Sequence, residues 1–416
     1  MDHDVVVVGA GMAGLACART LQAAGLDAVV IESDDGPGGR VRTDVSDGFR
    51  LDRGFQILLT AYPELSRWFD LNTLDLRKFS PGARVWNGSK FHTVGDPLRR
   101  PQDLLPTVTA PIGSLADKIK LLRLILSVRT GSPGALLRRP DRTTADRLSA
   151  AGFSDRFVDS FMRPLFAGIQ LDPDLEVSSR RFEMILRMLA VGDSAVPALG
   201  MGRLSEILAD GLVEGTVTYD SSVTEVHGQV VRLNSGGSIS ARAVVVATSG
   251  PVASRLLPAV QDPGSRAAGA VWFSMSEAPI RGRHILLDGT NSGPARNVAV
   301  MSEVSPLYAS NSEALLVAAV PGSAALDSSI ETAVRKQLTG WFGPCVERWE
   351  TRRVDVIRHG QPLQAPPFYP KQSVRVAETT WVCGDHRDTA SIQGALYSGR
   401  RTAEAVLADL SVSSNI

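Results

Sequence analysis

Cysteine is scarce in this chain of 416 residues: Cys17, Cys345 and Cys383 are the only three. An odd count argues against a disulfide framework, and no CxxC spacing supports a zinc knuckle or a dithiol relay. Cys17 falls in an apolar helical stretch and Cys383 on an apolar strand, so both read as small buried hydrophobes. Histidine is also sparse. His3, His92, His227, His284, His359 and His386 lack metal-ligand spacing, so no metal is expected, and most read as surface or hydrogen-bonded loop residues. No Ser/His/Asp or paired-carboxylate constellation stands out. No apolar run reaches about 18 residues, the length that signals a spanning helix. The start, Met-Asp-His-Asp and then a strand, lacks a basic and apolar leader, so a cytoplasmic location is the expectation. An excess of one charge is missing as well: 44 basic residues balance 44 acidic ones. Bulk charge therefore gives no reason to expect a nucleic-acid partner. Short repeats and low-complexity segments are absent. What remains is an ordinary globular composition, long enough for two domains or one elaborate one.

The first 43 residues carry the strongest positive signal. Val5 to Val8 form a β-branched run, as a strand buried on both faces would. Gly9, Gly11 and Gly14 follow in GxGxxG spacing, then a helical stretch with apolar Ala13, Leu15, Ala16, Ala18 and Leu21. Gly25 ends it, and a second strand, Ala28 to Ile31, leads to Glu32. In this arrangement Gly9 makes the tight turn, Gly11 admits a pyrophosphate, and Gly14 lets helix and strand pack closely. The helix N-terminus, at Met12 and Ala13, offers free amides and a positive dipole end to phosphates. Glu32, followed by Ser33, is placed to accept hydrogen bonds from a ribose. The spacing predicts dinucleotide binding.

Three separated stretches look like pieces of this cofactor domain. After the first, residues 1–62, comes a second, 201–265. It holds an amphipathic helix, short strands with His-Gly and Asn-Ser-Gly-Gly turns, and the buried strand Ala243 to Ala247. The third, 354–416, contains the strand Trp381 to Cys383, then Gly384 and Asp385, then a helix from about Ile392 to Leu410. The stretches between them, 63–200 and 266–353, read as a substrate domain built from two insertions. The first insertion is basic, with fourteen Lys or Arg against five Asp between Arg77 and Arg147. Within residues 115–131 a wide apolar arc includes Leu115, Ile119, Leu122 and Leu126, beside a polar wedge of Lys120, Arg123 and Ser127. Such a helix either lies peripherally in a membrane interface or forms part of the core beside a substrate cavity. Lys118 and Arg129 intrude on the arc, which favours the core.

The tail after Glu32, DGPGGRVRT with Gly38, Gly39 and Arg40, resembles the FAD-binding start of the flavin amine oxidase superfamily, which includes monoamine oxidases, protoporphyrinogen oxidases and phytoene desaturases. The stretch from Trp381 through Ile392, Gln393 and Ala395 resembles the C-terminal FAD box of the same group. The resemblance implies an α/β fold: a Rossmann-type FAD-binding domain with a β-meander, plus an inserted α+β substrate domain. It implies FAD, with the Gly9–Gly14 loop, Glu32, Gly38, Gly39 and Arg40 on its diphosphate side and Val223 beside the adenine. Asp385 would then hold a ribityl hydroxyl or phosphate, and the Ile392 helix would point at the flavin. No cysteine stands at that helix entry, so non-covalent FAD is expected.

In motif detail the chain is most similar to phytoene desaturase-like proteins. Leu51-Asp52-Arg53-Gly54-Phe55-Gln56 and the Tyr62-Pro63 turn resemble the desaturase layout, and Val271-Trp272-Phe273 resembles a cavity-lining strand. That strand lacks the lysine common in amine oxidases, and Ser391 stands where those enzymes place an aromatic-cage tyrosine. The expected function is therefore hydride removal from a small hydrophobic substrate, isoprenoid among the options, to flavin N5. Trp272, Phe273 and Phe368 are the substrate candidates, and His386 is the one candidate for a catalytic role. Three alternatives stay open: an amine or amino-acid oxidase, a reduced-FAD-dependent isomerase, and a non-catalytic FAD-binding module.

Overall fold

The computed structural model describes residues 1–97, 99–310 and 313–413. In chain order the chain forms β1 (His3–Val8), α1 (Met12–Ala23), β2 (Ala28–Ile31), β3 (Thr43–Ser46), β4 (Phe49–Asp52), β5 (Gly82–Trp86) and β6 (Phe91–Gly95). Helices follow: α2 (Leu104–Thr109), α3 (Leu115–Arg129), α4 (Arg163–Gln170) and α5 (Ser179–Val191). Next come strands β7 (Val217–Thr218), β8 (Val223–His227), β9 (Val230–Leu233), β10 (Ser238–Val246), β11 (Ser265–Met275), β12 (Ile285–Asp288), β13 (Asn297–Val300) and β14 (Ala314–Pro321). The last are α6 (Ile330–Phe342), β15 (Glu350–Pro362), β16 (Arg375–Ala377), β17 (Thr380–Val382) and α7 (Ile392–Ser413).

The first sheet runs β7-β2-β1-β10, with β17 pairing parallel to the end of β10. Its four inner pairings, β7 to β2, β2 to β1, β1 to β10 and β10 to β17, are all parallel. β8, β9 and the first half of β10 form the antiparallel meander. Val5 and Val7 pack beneath α1 and α7, while Val6 and Val8 pack on the opposite face with Val244, Val246 and Leu256. That two-sided burial is why β1 reads as an unbroken apolar run.

The second sheet runs β15-β11-β14-β13-β12-β5-β6. One face, with Ala270, Trp272 and Val317, joins the same core as β1 and α1. The other face, with Val271, Phe273 and Leu316, is covered by Val334, Leu338 and Trp341 of α6. A helical layer built around Leu124, Val128, Phe157, Phe166 and Phe182 closes over Ala83 and Val85. The α/β architecture is the expected one. β15 pairs with β11 from Glu350 to Pro362, so residues 354–362 lie in the second sheet, although the sequence reading gave them to the cofactor domain. β15 is an edge strand whose burial alternates weakly, and its charged residues hid it.

The helix expected over 115–131 is α3. A capping box starts it: Ser114 accepts from the Asp117 amide, and Asp117 accepts from the Ser114 amide. Only Leu124 and Val128 of its apolar residues are fully buried; Leu115, Ile119, Leu122 and Leu126 face outward. The core reading therefore holds for one side of the helix only.

Candidate functional site

The β1–α1 turn is shaped for an anion. A Cβ built on Gly11 would meet nothing within 4 Å, so the space beside it is open. At Gly14 a Cβ would lie 1.9 Å from the Gly9 carbonyl oxygen, and no larger residue fits between helix and strand. α1 has no side-chain cap and no acidic residue in its first turn, so its amides at Met12 and Ala13 are not met by a carboxylate. Gly38 and Gly39 fold back over this opening. The Gly38 amide donates to the Ala10 carbonyl at 2.8 Å, and a Cβ on Gly39 would be 3.9 Å from Gly11 Cα.

Glu32 ends β2 with its carboxylate buried. It accepts from the Ala10 amide at 2.6 Å, the Asp34 amide at 2.9 Å and Ser33 Oγ at 3.1 Å. These bonds aim the side chain at the mouth of the glycine turn. Val223 opens β8, half-buried on the same sheet.

At the far end of the opening, Arg40 Nη2 sits 2.7 Å from Asp385 Oδ1, and Nη1 donates to the Gly360 carbonyl at 2.7 Å. Burial raises the Asp385 carboxyl, but Arg40 outweighs it and holds it below its ordinary range. Gln56 Nε2 donates to the Arg40 carbonyl at 2.6 Å and positions that backbone. The Gly54 amide donates to Asp355 at 3.1 Å, and Phe55 meets the edge of Phe79. Gly384 φ is +146°, and its amide donates to Ser398 Oγ at 3.1 Å.

α7 is capped by Ser391, whose Oγ accepts from the Gly394 amide. Ile392 and Ala395 pack on the main core, and Gln393 Oε1 accepts from the Glu64 amide at 2.8 Å. Gly399 brings α7 close against α1: a Cβ there would be 2.1 Å from the Ala13 carbonyl oxygen. Cys17 and Cys383 meet in this packing, and burial together with the shared hydrogen bond pushes the Cys17 thiol well up.

The structure adds residues that the sequence did not single out. Arg181 of α5 is 3% exposed, and its Nη2 donates to Gln361 Oε1 and to the Ala390 carbonyl, next to the α7 cap. Among the described residues its Nη1 has no partner, and neither has the buried Gln170 side chain. Burial lowers Arg181 to about 10, so it stays charged at neutral pH. The two carboxylates that act on it are already taken: Asp385 by Arg40, and Asp172 by Arg266 at 2.9 Å. Tyr62 lies close by with its hydroxyl against Ser391, and burial pushes it up to about 12. Only the Tyr-Pro turn hinted at Tyr62 in the sequence.

His386 is buried, and neither ring nitrogen is bonded to any described residue. Burial pushes it down to about 4, against the pull of Asp385, so it is neutral at pH 7 and has no proton to give as an imidazolium. His284 is likewise buried and unpartnered, unlike the surface or hydrogen-bonded role expected of it.

Trp272 and Phe273 do not line one cavity. As neighbours on β11 they point to opposite faces, and both are fully buried. Trp272 donates to Asp355 at 3.1 Å, and Phe273 packs against Trp349 and under Arg335. Phe368 is buried with its amide on Asp141 at 2.7 Å. Tyr397, the other aromatic near the cap, faces Lys371 at 5.3 Å and Arg400 at 5.2 Å.

An open glycine cradle, an uncapped helix, a buried acid beyond β2 and an Arg–Asp pair at the far end match the chemistry of a flavin dinucleotide. Fold and site define a dinucleotide-binding protein with a Rossmann-type cofactor domain. The chain belongs to the flavin-containing amine oxidoreductase family, whose model matches residues 12–407. It is 29% identical to a phytoene dehydrogenase from Streptomyces griseus over 294 residues, 62% of this chain and 56% of that protein. The chain thus spans about half the length of this relative. A solved oxidoreductase from Methanosarcina mazei shares the fold, with a TM-score of 0.74 at 17% identity, over 96% of this chain and all of that one. Cyclohexylamine oxidase from Brevibacterium oxydans IH-35A gives 0.67 at 19% identity, covering 99% and 100%.

Proposed function

We propose that this enzyme holds FAD non-covalently and dehydrogenates a neutral, mainly apolar substrate, in the manner of a desaturase or oxidase. When bound, FAD supplies the redox chemistry by accepting the substrate's hydride at N5. The chain's residues bind and orient. Gly11, Gly38 and the α1 amides suit the diphosphate, Glu32 a ribose, and Arg40 with Asp385 the linker between phosphate and ring. The second hydrogen leaves the substrate as a proton to solvent; His386, held neutral by burial, is a poor acceptor for it.

Arg181 carries the reading. A buried guanidinium with a free Nη1, and no carboxylate of its own, makes its surroundings positive. A protonated amine would be repelled there. An apolar molecule is tolerated, and a carbonyl or carboxylate on it would find Nη1 and Gln170 as donors. β11 supports the same side, since its one charged residue is Arg266, engaged by Asp172.

The test is anaerobic mixing of oxidised enzyme with panels of simple amines, amino acids and isoprenoids, following the loss of flavin absorbance. Bleaching by apolar compounds is expected. Rapid bleaching by a simple amine alone would falsify this reading. Acid precipitation should leave the flavin in the supernatant; yellow precipitate would mean a covalent link.

A further inference from the structure

α3 shows the solvent a row of aliphatic side chains. Leu115, Ile119, Leu122 and Leu126 follow one another at steps of four, three and four, which places them on one side of the helix over about 16 Å. Leu104, Leu105 and Val108 of α2 are exposed as well, and all seven are between 43% and 71% exposed. The two helices are tied together: Lys118 Nζ donates to the carbonyls of Val108 at 2.8 Å and Ala110 at 2.7 Å. Single exposed leucines are ordinary, but a row of this length on adjoining helices is not.

Along α2, α3 and the segment after them the exposed charge has one sign. Between Leu104 and Arg139 the only acidic residue is Asp117, which is buried and held by Ser114 and Ser154. Arg123, Arg129 and Arg138 are exposed and form no ion pair with any described residue. A second copy docked on this row would set these cations against their own equivalents. An anionic surface would neutralise them while the leucines enter an apolar layer.

We propose that α2 and α3 form a peripheral docking surface for an anionic phospholipid membrane. The surface is independent of the substrate reading, because none of its residues belongs to the flavin site.

The test uses the full-length holoenzyme and two kinds of vesicle: phosphatidylcholine alone, and phosphatidylcholine mixed with phosphatidylglycerol. Co-sedimentation with the mixed vesicles only is expected, weakening as salt rises. Leu122→Glu with Leu126→Glu should lower that binding by about tenfold or more, and Arg123→Glu with Arg129→Glu should lower it most at low salt. Flavin content and circular dichroism should stay unchanged, since all four side chains are exposed. Failure of the unmodified enzyme to sediment, or equal sedimentation of folded variants, would overturn the proposal. So would a dimer in vesicle-free light scattering that becomes a monomer in the leucine variant, because the row would then belong to a second copy.

Discussion

In the proposed FAD site Glu32 and Gly11 act by opposite means, one through a carboxylate that three hydrogen bonds to its own chain fix in place, the other by having no side chain. Their variants should therefore differ. Glu32→Ala removes an acceptor for the cofactor and should weaken FAD binding by about 1–3 kcal/mol, measurable by titrating apoprotein with FAD. A Cβ at position 11 meets nothing within 4 Å, so Gly11→Val should fold with little change in its unfolding midpoint yet bind no flavin. A colourless, folded Gly11→Val variant is the expected result. Retained flavin would show that the phosphates run elsewhere.

His386 gives a second test at this scale. In the folded chain it stays neutral down to about pH 4, whereas an unfolded histidine takes up its proton near 6.5. Between these values the folded state binds fewer protons, so its contribution is complete above pH 6.5 and is lost as pH falls toward 4. The gap corresponds to about 3 kcal/mol. Urea unfolding of apoprotein at pH 7 and pH 4.5 should show this loss, and His386→Asn should reduce it. An unchanged pH dependence in the variant would mean that the ring is charged in the folded chain. Such residues were unevenly legible beforehand. The glycines, Glu32, Arg40 and Asp385 stood in local motifs with fixed spacing. Arg181, Gln170 and Tyr62 stood in none, because what distinguishes them is a missing partner, and that depends on which distant segments surround them.

At the scale of elements, two helical glycines make opposite predictions. Gly399 lets α7 lie against the Ala13 carbonyl, so Gly399→Val should push α7 from the very turn that offers amides to the cofactor. A loss of about 1–3 kcal/mol in stability, together with lower flavin occupancy, is expected. Gly340 in α6 is exposed, and a Cβ there meets nothing within 4 Å. Gly340→Ala should raise stability by about 0.5–1 kcal/mol and leave the flavin spectrum alone. Calorimetry of the two holoenzymes separates the cases. Element boundaries followed the same logic as the residues. β1 and β2 were readable as apolar runs buried on both faces, and α3 from its periodicity. β15 was not, because an edge strand with Arg352, Arg353 and Arg358 along it has no apolar period to read. Trp272 and Phe273 were misread as one wall, although the two-residue repeat of any strand sets neighbours on opposite sides.

Across the whole molecule, a small polar hub ties the β3–β4 pair to the distant segments around Met201 and Tyr308. Asp52 at the end of β4 is buried, and it accepts from Thr43 Oγ1 at 2.5 Å, the Met201 amide at 2.9 Å and Tyr308 OH at 2.7 Å. Burial raises its carboxyl to about 6 despite these donors. Arg353 of β15 reaches back across the same seam to Asp44 at 2.9 Å and to the carbonyl of Leu51. Tyr308→Phe keeps the ring and removes one donor, so it should cost about 1–3 kcal/mol. The cost should appear in thermal unfolding of both apoprotein and holoprotein, since the hub lies outside the cradle. Destabilisation of the holoprotein alone would place Tyr308 with the cofactor.

The Arg40–Asp385 pair has a bearing on how the enzyme is made. Its two members are 345 positions apart. A ribosome moving at about 5–20 residues per second needs roughly 20–70 seconds to travel from one to the other. During that interval the glycine turn exists without its far wall, and the apolar undersides of β1 and α1 wait for a helix not yet synthesised. The proposed cofactor site is therefore closed by the last part of the chain to be made.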